Sequence, residues 1–76
     1  MEFLFATNLN INEADAVYKV YFDQEKYMFR PDTNDKSLPG FSFKREHDKW
    51  HDQESLAPRI KMQAINVLEK YLLAQH

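Results

Sequence analysis

Apolar and polar residues alternate with period two at the start of the chain. Phe3, Phe5, Thr7, Leu9 and Ile11 fall on one side, and Glu2, Leu4, Ala6, Asn8, Asn10 and Asn12 largely on the other. That period marks a strand with one face against a core, and predicts a first strand over 3–11. The three Asn between Thr7 and Asn12 are poor strand formers, so the same residues also read as a frayed terminus.

After the polar connection Asn12-Glu13-Ala14-Asp15, the run Ala16-Val17-Tyr18-Lys19-Val20-Tyr21-Phe22 is rich in β-branched and aromatic residues and predicts a strand over 16–22. The link Asp23-Gln24-Glu25-Lys26 is short enough for a hairpin into a strand over 27–31, where Pro31 removes a ladder donor. Residues 31–40 hold two prolines and the only glycine among Asp, Thr, Asn, Lys and Ser, which predicts a loop. Alternation resumes over 41–46 with Phe41 and Phe43 on one face, and Trp50 anchors the chain as it leaves the sheet.

The period then changes. Pro58 suits the first turn of a helix, where its missing N–H would be unpaired in any case, and the helix is predicted over 57–74. At 100° per residue, Ile60, Ala64, Val67, Leu68, Tyr71 and Leu72 share one arc with Ile65 at its margin, while Arg59, Gln63, Asn66, Glu69 and Lys70 gather opposite. The expected architecture is a single small domain over 1–76 of the α+β class. It is an antiparallel three- to four-stranded β-meander with one C-terminal amphipathic helix packed on one face. The far face of that sheet has no second helix to cover it.

Composition narrows the functional classes. A chain of 76 residues without cysteine has room for one core and no disulfide or Cys-based metal staple, so its 14% aromatic content must supply much of the folding energy. Ten Lys and Arg stand against 12 Asp and Glu without long runs of one sign, which argues against nucleic acid and anionic membranes as partners. Neither a signal-peptide core nor a membrane span is read, and a cytoplasmic location is expected.

Candidate chemistry is sparse. His47 and His51 are four apart, a spacing that on a helix lets two imidazoles share one zinc, but Asp48 stands where a zincin motif has its glutamate. In an extended segment the two would be roughly 13 Å apart. Asp23, Glu25, Asp32 and Asp35 all fall in expected turns, no serine has a nucleophile-elbow context, and the lone Gly40 excludes glycine-rich phosphate loops. No enzyme activity, cofactor or metal is expected.

A helix after a three-stranded meander resembles the end of a double-stranded-RNA-binding domain. The chain departs from that pattern in having no preceding helix and only Arg59 and Lys61 as basic residues at the helix start. The reading that remains is a non-enzymatic protein-interaction or accessory domain, expected to self-associate as a homodimer or to meet another protein. Its candidate surface comprises Val17, Tyr21 and Met28 on the uncovered sheet face, Trp50, and Met62 and Leu73, three helical turns apart on the polar side of the helix. The alternatives are a small ligand- or metal-binding protein using His47 and His51, and an RNA-binding accessory.

Overall fold

A computed structural model describes residues 1–33 and 37–75. Five strands, β1 (Glu2–Ile11), β2 (Ala14–Asp23), β3 (Lys26–Pro31), β4 (Phe41–Glu46) and β5 (Lys49–Asp52), precede one helix, α1 (Pro58–Ala74). The strands form a single antiparallel sheet in chain order, β1-β2-β3-β4-β5. This is the expected α+β meander with a C-terminal helix, with one strand more than the sequence reading allowed. Of the loop expected over 31–40, Pro31 closes β3, and residues 34–36 lie outside the described residues.

The extra strand and the longer hairpins share a cause. Three pairs of residues, Asn12-Glu13, Gln24-Glu25 and His47-Asp48, have positive φ at both positions, between 51° and 67°. Each joins adjacent strands as a two-residue turn of the primed type, whose twist matches that of the flanking strands. No glycine occupies any of these positions, although a left-handed conformation costs a residue with a Cβ on the order of 1 kcal/mol. Without Asn-Gly or Asp-Gly to announce them, the turns read as longer polar links. The chain past Glu46 therefore read as an exit, whereas Lys49–Asp52 returns beside β4, pairing Trp50 with Arg45 and Asp52 with Phe43.

The first strand carries a second correction. The β1–β2 register runs Ile11↔Ala14 through Phe5↔Val20, then shifts between Phe5 and Phe3 so that Phe3 pairs with Tyr21. A β-bulge inserts one residue and moves everything beyond it to the other face. Phe3 therefore leaves the row of Phe5, Leu9 and Ile11 and joins the uncovered face, where it is 52% exposed.

The buried core comprises Leu9, Ile11, Tyr18, Val20, Phe29, Phe41 and Phe43 from the sheet and Ala64 and Leu68 from α1, all at 3% exposure or less. Its rings interlock: Phe41 stacks on Phe29 at 4.9 Å, Phe43 meets both edge-on at 5.9 Å, and Tyr71 of α1 stacks on Phe5 at 4.8 Å. The Tyr18 hydroxyl donates to the Pro39 carbonyl at 2.8 Å, which ties the loop before β4 to the core. Burial raises the Tyr18 phenol above its ordinary value.

The sheet curls around the helix. Gln63, expected on the solvent side, instead clamps the backbone of the β1 edge: the Asn10 N–H donates to its Oε1 at 2.8 Å and its Nε2 donates to the Asn10 carbonyl at 2.9 Å. Lys61, two residues and about 200° away around the helix, reaches Asp52 on the opposite edge strand at 3.0 Å. One short stretch of α1 thus touches both edges of a sheet that would span about 19 Å if flat. The helix lies in the concave face, and the uncovered face is convex.

Candidate functional site

Directly paired residues in an antiparallel sheet project to the same face, so the register orders the convex surface into rows. Phe3, Tyr21, Met28 and Ser42 form a row across β1 to β4, apolar in its first three members. On one side of it lies the row Ala6, Lys19 and Arg30, and on the other the row Asp23, Lys26, Lys44 and His51. Val17 stands beyond Lys19 opposite Asn8 and is 42% exposed. Val17, Tyr21 and Met28 therefore do share the uncovered face, as the sequence pattern implied, and the bulge adds Phe3 to them.

The aromatic pair on this face is ordered by its neighbours. The Phe3 and Tyr21 rings meet edge-on at 5.6 Å, and the Arg30 guanidinium lies over Tyr21 with its carbon 6.0 Å from the ring centroid. Lys19 is paired with Asp32 at 3.1 Å, and that hydrogen bond and charge hold its ammonium group above its ordinary value. Lys44 approaches Glu46 at 3.4 Å, and the N-terminal ammonium lies 3.9 Å from Asp23. The Glu54 carboxylate accepts the Ser42 N–H at 3.0 Å, continuing β4 past the end of β5.

Trp50 is not part of this face. It packs edge-on against Tyr27 at 5.4 Å and Phe43 at 6.4 Å on the concave side, with the Arg45 guanidinium over its ring at 5.2 Å. A short edge strand holds it as a lid on the core, which the sequence could not show while β5 was read as a departing chain.

Met62 and Leu73 are 72% and 73% exposed on the outer side of α1, where the sequence placed them. Asn66 and Glu69 lie between them at spacings of four, three and four residues, which puts all four side chains within about 60° of the helix circumference. Ile65 borders this seam and, with Met62, Asn66 and Glu69, lines a shallow depression.

His47 and His51 do not converge on a helix face. His47 occupies a turn position with φ of 53°, while His51 sits in β5 directly across from Lys44, with Lys26 one strand further. A divalent cation there would meet two ammonium groups. Among the described residues no group of three or more His, Cys, Asp or Glu side chains is placed to hold a metal ion. Among the described residues, the carboxyl shifted from its ordinary value is Asp52, lowered chiefly by its hydrogen bond from Lys61, and that contact ties α1 to β5. Among the described residues, no helix is long and apolar enough to cross a membrane.

The chain matches no family model, no curated protein and no solved structure.

Proposed function

We propose that the chain is a non-enzymatic interaction domain that self-associates through the outer seam of α1. The observation that carries this reading is the exposure of Met62 and Leu73 on a seam spaced i, i+4, i+7, i+11. In an antiparallel two-fold pairing, position 62 faces 73 of the second copy, and position 66 faces 69. Apolar then meets apolar at both ends, and the Asn66 amide can donate to the Glu69 carboxylate in the middle, so the surface is complementary to itself. Two large apolar side chains per copy make a small interface, which places the dimer at the weak end of specific association.

Sedimentation velocity across a concentration series tests this. The expected result is a rise in weight-average mass with concentration that the double variant Met62→Ser, Leu73→Ser abolishes while the circular dichroism spectrum is unchanged. Wild-type protein that stays monomeric up to about 1 mM, a concentration at which even a weak pair with about −4 kcal/mol of binding would form, would sink the reading.

A further inference from the structure

The two edges of the sheet are finished differently. β5 is four residues long and carries a charge at each end, Lys49 and Asp52. β1 is ten residues long, and from Phe3 to Asn12 the chain holds neither charge nor proline, two devices that commonly blunt an edge strand. Gln63 occupies the outward N–H and carbonyl of Asn10, and the bulge breaks the strand between Phe5 and Phe3. Backbone direction alternates along a strand, so Ala6 and Asn8 present their N–H and carbonyl groups outward as Asn10 does. Both residues are exposed, and among the described residues no hydrogen bond joins these groups to another residue. An opening is left between clamp and bulge, with its two pairing positions about 7 Å apart.

Beside this opening, β1 and α1 enclose a groove lined by Phe5, Thr7, Val67, Lys70 and Tyr71. The helix runs antiparallel to β1, with Gln63 at Asn10 and Tyr71 on Phe5, so Val67 falls beside Thr7 and Lys70 beside Phe5. Lys70 is the one charge in the lining; it is exposed and has no ion pair among the described residues. The carboxylate of this strand, Glu2, lies beyond the bulge. We propose that the β1 edge binds an extended acidic peptide of another protein as a sixth strand, with an apolar side chain against Val67 and a carboxylate two residues away at Lys70. The free N–H and carbonyl groups call for a strand, because an extended backbone supplies their partners at the same spacing. Residues directly opposite Thr7 and Phe5 project to the face of the groove, so the lining reads alternate side chains. Main-chain pairing then supplies affinity and the groove supplies specificity. A second copy of β1 is the poorer occupant: it brings no carboxylate between Phe3 and Asn12. In antiparallel pairing it also delivers its own α1 and Lys70 to the same face, against those of the first copy.

This site is separate from the seam of Met62 and Leu73, and its test is independent of self-association. The probe is the acetylated and amidated peptide Thr-Glu-Thr-Ile-Thr-Glu-Thr, whose central isoleucine has a carboxylate two residues away in either strand direction. It is titrated into the full-length, nitrogen-15-labelled chain and followed by amide NMR. Saturable shifts at the Ala6 and Asn8 amides are expected with a Kd below about 1 mM, together with slower hydrogen exchange at both. The same peptide with proline on each side of the isoleucine loses the N–H donors that face Ala6 and Asn8 and should not bind. Ala6→Pro removes the outward donor without breaking a β1–β2 bond and should weaken binding about tenfold or more. Lys70→Glu, at an exposed position that leaves the fold intact, should weaken it about threefold to tenfold and favour a peptide with lysine in place of glutamate. The Met62→Ser, Leu73→Ser variant should bind as wild type does. Absence of shifts at about 5 mM peptide, equal binding of the proline peptide, or full affinity in Lys70→Glu would overturn the proposal.

Discussion

The two faces of the sheet are built from alternate residues of the same strands, yet they behave as different materials. Tyr18 and Val20 are fully buried on the concave side, while Val17 on the other side of the same strand is 42% exposed. Phe29 is likewise buried, and its neighbour Met28 only half so. Composition does not separate them, since both faces carry aromatic side chains. What separates them is cover: the concave face closes on Ala64 and Leu68 of the helix and on its own rings, and the convex face has no second layer packed on it among the described residues. An aromatic residue in this chain is therefore structural or available for binding according to which way the pleat turns it.

The largest test of that contrast is truncation on each face. Phe43→Ala should cost about 3–5 kcal/mol of unfolding free energy, because it empties a site packed by Phe29, Phe41 and Trp50. Met28→Ala, one strand away on the convex side, should cost less than about 1 kcal/mol. Urea denaturation of the two variants decides it, and equal losses would mean that the convex face is covered in solution.

A smaller effect is expected from the buried hydroxyl that ties the loop to the concave face. The folded-state value of the Tyr18 phenol is raised, so the stability it contributes is complete below the ordinary value of 10.0 and is lost as pH rises through the folded value. Tyr18→Phe should lose about 1 kcal/mol at neutral pH with the Pro39 hydrogen bond. Its melting temperature should then fall less than wild type between pH 9 and 11, as measured by thermal melts in matched buffers. Asp52 works in the opposite direction: its lowered value adds stability above the ordinary 3.8, lost as pH falls through the folded value.

The smallest effect lies at the hairpin tips, which belong to neither face. Glu13→Gly, Glu25→Gly and Asp48→Gly should each stabilise the fold by about 0.5–1 kcal/mol, since glycine adopts the left-handed conformation without a Cβ penalty. Additive increases in the urea midpoint are expected because the turns are well separated. Destabilisation by any one of them would show that its side chain does more than turn the chain.

Much of the fold is legible in the residue pattern because burial imposes a period. The alternation of Phe41 and Phe43 gives β4 at its observed limits, and the α1 arc of Ile60, Ala64, Leu68 and Tyr71 gives both the helix and the face it buries. Pro58 marks the helix start for a local steric reason and occupies its first turn. Where the period breaks, the pattern misleads. The bulge that carries Phe3 to the convex face leaves no mark in the alternation, and β5 is too short, and its turn too unlike Asn-Gly, to register.

The sequence by itself determined the class of fold, the core aromatics and the exposure of Met62 and Leu73, because each follows from periodicity within one element. Only the tertiary structure decided which side chains meet across elements. It turned Gln63 from a solvent residue into the clamp on the β1 edge, and Trp50 from a surface anchor into a lid. It also brought scattered cations and carboxylates together on one face, because strand register couples residues far apart in the chain at a spacing of about 5 Å.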